Sequence, residues 1–401
     1  MSKVLISFLG TGAIEKHEYT EATYQFTSGN RYTTPFIATA IKQECDIDRV
    51  ILIGTARSMW DCVYDYFGNT NGDFDENIWE KLYENRLHAD HTTPIGSIEY
   101  QQEVERALGN GSKIVITHYG LNDEEIAKNS EIILNIEELL EKDDKLIIDI
   151  THSFRSLPMY MMNLLIFLKE VSDKRIKISH IYYGMLDATR ELNYTPVVEL
   201  NNLITVNDWI TGAYSFKRFG NADKIAQLVR SINNNLSERL NSFSDAKNLN
   251  YIKELESQCR NLNRLLEGAD SSPLSKRIII PVVQDFVSRL TIDSDSPYPH
   301  SDFQFKLAMW QRNNHYYLAA YTTLTEAIIT RYMEKHNETD HLFDRIRRDS
   351  VKENLDGGYT LYWEVSRTRN ALVHCTDNVK GTPKQLIEKL SSFIDRYRNI
   401  D

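Results

Sequence analysis

Arg369-Asn370-Ala371-Leu372-Val373-His374 sets an arginine five residues before a histidine. The first side chain keeps its proton and the second type titrates near neutrality. Metal-free cleavage of a phosphodiester calls for such a pair: one group stabilises the negative charge that develops on phosphorus, the other moves protons. On a helix the two do not share a face, because five residues turn the chain by about 140°. Convergence on one phosphate therefore requires a bend after Asn370 or a second copy of the helix. Read as a helix, the run 362–374 has Trp363, Val365, Leu372 and Val373 as its buried side. Taken alone, R-x-x-x-x-H also fits a surface arginine and a satisfied histidine.

A second group of residues has the types that hold phosphate: Gly10-Thr11-Gly12, Gly54-Thr55 with Ser58, and Asp149-Ile150-Thr151-His152-Ser153-Phe154-Arg155-Ser156-Leu157-Pro158. Each follows a continuous apolar run: 3–9, 49–55 and 145–151, with further runs at 113–118 and 177–184. Such runs read as parallel strands buried on both faces. Helical periodicity lies between them, at 34–45, 98–108, 123–141 and 157–171, which implies βαβ units and a Rossmann-like α/β domain with an open parallel sheet. Ligands of such sheets bind beyond the carboxyl ends of the strands, where these residues fall. Glycine admits close backbone approach, hydroxyls and helix N-terminal amides receive phosphate, and Arg155 can pair with it bidentately. Ser153 or Ser156 equally suits an N-cap for the helix beginning near Pro158. A dinucleotide dehydrogenase is excluded, since 10–15 lacks the third glycine and 15–32 reads as hairpin. No G-x-x-x-x-G-K-[ST] loop occurs.

From about Leu203 the pattern is helical throughout, with segments at 207–219, 221–240, 246–266, 274–290, 303–333 (with a break), 358–374 and 383–399. Two domains follow, 1–202 and 203–401, within the range that 401 residues allow. Charge is uneven: residues 1–200 hold 19 Lys and Arg against 32 Asp and Glu, net −13, and residues 201–401 hold 27 against 25. The second half is the better partner for a polyanion, though its excess is slight. Cys45, Cys62, Cys259 and Cys375 form no C-x-x-C pair, which argues against a zinc site and suits a reducing cytoplasm. The apolar run at the N-terminus is too short for a signal peptide, and 157–168 is too short to span a bilayer, so no membrane partner is expected.

The strand ends, the Asp149–Pro158 segment and the terminal Arg369–His374 motif together resemble the CARF-HEPN ancillary ribonucleases of type III CRISPR systems. Asp149-Ile150-Thr151-His152-Ser153-Phe154-Arg155 is similar to the D-[IV]-T-[HG]-x-[FY]-R signature of CARF proteins, and Gly54-Thr55-x-x-Ser58-x-Trp60 supports it. The resemblance implies a homodimer or higher homo-oligomer. In it, two CARF domains form a symmetric pocket for cyclic oligoadenylate, tetraadenylate first and hexaadenylate second, and two HEPN helices build one composite ribonuclease site. Carried over to the pocket are Gly10, Thr11, Gly12, Thr55, Ser58, Thr151, His152, Ser153, Arg155 and Ser156. Trp60, Tyr24 or Met59 are candidates to stack on adenine. Thr11, His152 and Ser153 would position the activator's own 2′-hydroxyl if the domain also cleaves it.

At the nuclease site the RNA's 2′-hydroxyl is the nucleophile, so neither metal nor cofactor is required. Arg369 would stabilise the phosphorane, His374 would act as general acid or base, and Asn370 would orient one of them. Arg312, His315 and Arg367 are candidates to line the path of single-stranded RNA. Two alternatives stay open: a HEPN toxin-type ribonuclease responding to another nucleotide, and a non-catalytic nucleotide-sensing regulator.

Overall fold

Five apolar runs, each too short for a buried helix, form five adjacent strands of one sheet, and the middle three of them are almost wholly buried. In the computed structural model the described residues are all except Met1, His17, 95–97, Asn110, Ser153, 268–272, Ser294, 356–359, 375–379 and 400–401, and the side chains of Glu267 and Asn354. The strands are β1 (Lys3–Phe8), β2 (Ile14–Glu15), β3 (Glu18–Tyr19), β4 (Ala22–Gln25), β5 (Arg31–Thr34), β6 (Arg49–Gly54), β7 (Lys113–Ile116), β8 (Lys145–Asp149), β9 (Lys177–Gly184) and β10 (Thr195–Glu199). Eight of them pair in the order β5-β4-β10-β9-β8-β1-β6-β7, and β2 and β3 make a separate hairpin. All pairs from β9 through β7 are parallel, with β1 between β6 and β8.

The sheet is not wholly parallel. β10 runs antiparallel to β9, and the antiparallel pair β4–β5 joins β10 at the edge. These strands are short and carry Thr, Gln and Arg, so they lack the apolar run that marks the buried centre. Two helices also escaped the periodicity, Trp60–Asn71 and Glu76–His88, both between β6 and β7.

After β1 the chain makes the β2–β3 hairpin and the far-edge pair β4–β5, comes back to place β6 and β7 on one side of β1, and then crosses to the other side of β1 for β8 and β9. The order therefore reverses beside β1, which opens a crevice at the carboxyl ends of β1 and β8.

The chain divides into two compact units, Met1–Leu203 and Ile204–Asp401. The second is helical and contains two apolar cores. One gathers residues from Trp209 to Leu307, the other from Ala308 to Tyr397, and helix Pro299–Asn313 contributes to both. The expected helix at 221–240 is two, Asp223–Val229 and Asn234–Asn248, because Asn233 caps the second by accepting from the Leu236 amide at 3.0 Å. Pro281 is accommodated near the start of Ile280–Leu290, following a wide π turn at Ser275–Ile279. The break expected in 303–333 falls after Asn313, and helix Arg345–Asn354 was not expected. Among the described residues no helix is long and apolar enough to cross a membrane.

Candidate functional sites

The ends of β1, β6 and β8 frame a cavity of about 590 Å³. Its shape rests on glycine where a side chain does not fit. A Cβ on Gly54 would lie 2.6 Å from the Ser58 Oγ and 2.8 Å from the Trp60 ring. With glycine there, Ser58 Oγ accepts from the Thr55 amide at 3.0 Å and donates to the Leu9 carbonyl at 2.8 Å, while Trp60 Nε1 donates to the Thr55 carbonyl at 2.9 Å. The Met59 amide reaches the Gly10 carbonyl at 3.0 Å. The G-T-x-x-S-x-W spacing thus clasps the loop after β1 to the turn after β6. Gly12 has φ +68°, and a Cβ there would meet the Tyr19 ring at 2.6 Å.

The Asp149 carboxylate is fully buried and closes the end of β8. It accepts from Ser7 Oγ at 2.6 Å, from the Thr151 amide at 3.0 Å and from Thr151 Oγ1 at 2.5 Å. Thr151 Oγ1 in turn accepts from the Gly184 amide at 2.8 Å. Burial pushes the Asp149 carboxyl up to about 6, against those hydrogen bonds, which lower it. His152 is half-buried with Nε2 3.3 Å from the Tyr24 hydroxyl, and burial lowers it to about 4. The imidazole is neutral at physiological pH and offers the cavity a hydrogen bond, not a charge.

Of the residues named from the sequence, Gly10, Thr11, Gly12, Thr55, Ser58, Thr151 and His152 line this cavity. Ser58 and Thr151 do so with their hydroxyls engaged in holding the strand ends. Arg155 and Ser156 are not in the wall: Arg155 is exposed, and Ser156 occupies the N-cap position of helix Leu157–Glu170 without a side-chain capping bond. Ser153 lies outside the described residues. Trp60 and Met59 are 2% exposed and absent from the wall, so neither offers a stacking face. Tyr24 is in the wall but 1% exposed. Phe154, 44% exposed and 5.3 Å from the Tyr119 ring, holds the rim together with Leu186. The signature contained Phe154; Leu186, which follows β9, carried no signal. Thr117, also in the wall, spends its hydroxyl on the Gly54 carbonyl at 3.2 Å.

The second candidate site is on helix Thr360–Val373, which packs on helices Tyr317–Lys335 and Pro383–Arg398. Its buried side is Leu361, Tyr362, Val365, Ser366, Thr368 and Ala371. This corrects the expected face: Trp363 and Val373 are 44% and 45% exposed. Residues two apart on a helix do not face each other, so Trp363 and Val365 never could share one. The His374 amide donates to the Asn370 carbonyl at 2.9 Å, which continues the helical ladder and leaves no bend after Asn370. Asn370 and His374 are exposed, one turn apart, in line with Trp363 and Arg367. Arg369 stands on a different side, half-buried, with Nε enclosed and without a hydrogen-bond partner.

Of the candidates for an RNA path, Arg312 is committed elsewhere: its Nε and Nη2 donate to Ser391 Oγ at 3.2 and 2.7 Å. His315 is bonded to the Tyr317 hydroxyl at 2.6 Å, and Arg367 is exposed. Among the described residues no group of three His, Cys, Asp or Glu is placed to hold a metal ion.

Two family models match the chain. One, described as CRISPR system endoribonuclease Csx1, CARF domain, covers residues 4–187; the other, CRISPR-associated protein MJ1674, second domain, covers residues 205–295. Neither reaches helix Thr360–Val373. The CRISPR-associated protein MJ1674 of Methanocaldococcus jannaschii is 32% identical over 429 aligned residues, covering 100% of this chain, which spans 66% of that relative's length. Among solved structures, Enterococcus italicus Csm6 bound to cyclic hexa-2′-fluoro-hexa-dAMP matches with a TM-score of 0.38 at 10% identity, covering 100% of this chain and 94% of that one.

Proposed function

We propose that the chain is a CARF-containing ancillary ribonuclease of type III CRISPR systems, switched on by cyclic oligoadenylate; the match of residues 4–187 to the Csx1 CARF domain and the 32% identity to the CRISPR-associated protein MJ1674 support this reading. The activator, cyclic tetraadenylate ahead of hexaadenylate, occupies the strand-end cavity. The observation that carries the sensor half is the cavity at the switch point, walled by Gly10-Thr11-Gly12, Thr55 and His152. These present backbone groups and a neutral imidazole to a ribose–phosphate ring, while Phe154 and Leu186 offer apolar surface to adenine. Arg155 and Ser156, beyond the wall of one copy, serve the ligand where two copies meet.

For the nuclease half, the support is Arg369 with an enclosed donor lacking a partner, beside exposed Asn370 and His374. The RNA's 2′-oxygen attacks phosphorus, the bond to the 5′-oxygen breaks, and the products are a 2′,3′-cyclic phosphate and a 5′-hydroxyl. One proton leaves the 2′-oxygen and one reaches the 5′-oxygen, with His374 handling one of these transfers. Arg369 stabilises the phosphorane. With no bend after Asn370, a homodimer supplies the convergence from a second copy of the helix. The competing reading, a non-catalytic nucleotide sensor, draws on the fact that neither family match extends to this helix.

The test is cleavage of single-stranded RNA with cyclic tetraadenylate in EDTA. The wild type is expected to cut. His374→Ala and Arg369→Ala are each expected to lose about 10²–10⁴ in rate while binding activator as before. Activity that disappears in EDTA and returns with magnesium contradicts the metal-free mechanism. A variant that keeps more than about a tenth of the rate, less than that range of loss, contradicts the role of that residue.

A further inference from the structure

A cavity of about 420 Å³ opens in the helical unit between helices Asn202–Phe219, Ile280–Leu290 and Pro299–Asn313. Its wall brings together Lys217, Arg218, Arg289 and the ring of Tyr214. Arg289 is occupied, paired with Asp285 one turn earlier at 2.8 Å. Lys217 and Arg218 are exposed and have no hydrogen-bond or ion-pair partner among the described residues. Their place in the last turn of a helix gives them a favourable but weak interaction with the helix dipole. That does not account for the aromatic group beside them. Tyr214 is 61% exposed, and Phe219 meets it only edge-on, with ring centroids 6.3 Å apart at 87°. Asn314, also in the wall, donates its Nδ2 to the Trp310 carbonyl at 2.8 Å, which leaves Oδ1 as an acceptor.

Two uncommitted cations next to an open aromatic face, with an amide at the side, match the chemistry of a nucleotide unit: phosphate on the cations, base on the ring. Only an unpaired base can stack in this way, which favours a single strand over a duplex. In a chain with a formal net charge of −11, a polyanion gains most where positive charge is left without a partner. We infer that this cavity is a docking site for single-stranded RNA, with phosphates on Lys217 and Arg218 and a base on Tyr214. The inference deepens the ribonuclease reading and rests on it only for the identity of the RNA as substrate.

The experiment is fluorescence anisotropy of a labelled 20-nucleotide oligouridylate with the full chain carrying His374→Ala, so that the RNA stays intact. Adding Lys217→Glu and Arg218→Glu is expected to weaken binding at least ten-fold and to reduce the slope of log K against log salt by about 1.4, from about 0.7 per single-strand contact. Tyr214→Ala is expected to weaken it roughly five- to hundred-fold. In the active chain the same substitutions are expected to raise KM and leave kcat in place. Unchanged RNA affinity in both variants, the Lys217→Glu/Arg218→Glu pair and Tyr214→Ala, overturns the site, and continued cleavage of RNA by the active chain then leaves the nuclease reading standing. A wild type that never cleaves RNA, yet binds it through Lys217 and Arg218, supports the site while sinking the nuclease. Two other outcomes overturn it: AMP bound here with no effect on the 20-mer, and a fall in molecular mass in Tyr214→Ala, which assigns the surface to a second copy.

Discussion

Asp149 and His152 sit three residues apart at the end of β8, and burial shifts them in ways that oppose each other with pH. The Asp149 carboxyl is raised to about 6, so the folded chain holds that proton more tightly than the unfolded one. Its contribution to stability is full below the ordinary carboxylate range and is lost as pH rises through about 6, on the order of 3 kcal/mol. His152 is lowered to about 4; its contribution is full above its ordinary value near 6.5 and is lost as pH falls through about 4. Between these limits the two trends offset each other. His152→Asn is expected to leave only the Asp149 trend, so that the urea midpoint of the sheet unit drops between pH 4.5 and 6.5 more steeply than in the wild type. An identical pH slope in both proteins contradicts the assignment. At this scale the sequence was legible in part. It identified which hydroxyls and glycines gather at the strand ends, because residue type and position after an apolar run suffice for that. It did not separate Ser58 and Thr151, whose hydroxyls hold backbone, from groups free to meet a ligand, since that depends on partners distant in sequence such as Leu9 and Gly184.

The loop Gly10-Thr11-Gly12 is kept in place by the β2–β3 hairpin as well as by the turn after β6. Tyr19, on β3, lies against Gly12 and donates its hydroxyl to the buried Asp61 carboxylate at 2.8 Å, where Arg86 also approaches at 3.2 Å. Gly12→Ala forces a left-handed backbone on a residue with a Cβ, which alone costs roughly 1–2 kcal/mol, and pushes on the Tyr19 ring. The expected result is a lower unfolding midpoint together with weaker activator binding. Unaltered stability and affinity contradict the close fit described for this loop. The parallel strands were legible because burial on both faces leaves a continuous apolar run. Strands β4, β5 and β10, at the β5 end of the sheet, were not, because a strand of four or five residues interrupted by polar side chains has no such run. On helix Thr360–Val373 the existence of the element was legible, but its buried side was not: polar Ser366 and Thr368 face inward while Trp363 faces out. Choosing by apolarity alone put the helix in the wrong phase.

In the whole chain the two candidate sites belong to different units, and in the proposed function each is completed by a second copy. Arg155 lies outside the cavity wall, and Arg369 and His374 occupy different sides of an unbent helix. Light scattering is therefore expected to return twice the 46.6 kDa chain mass at micromolar concentration; a monomer that retains full nuclease activity contradicts the composite site. With −13 on residues 1–200, bulk positive charge does not hold an anionic activator, so recognition falls to backbone groups and a few placed side chains and is expected to discriminate ring size. The most direct measurement is a titration of cyclic tri-, tetra- and hexaadenylate against a fluorescent single-stranded RNA reporter. The expectation is no cleavage without a cyclic nucleotide and saturable activation by the even-membered rings, tetraadenylate at the lowest concentration. Full ribonuclease activity with no cyclic nucleotide, or indifference to all three, would contradict it.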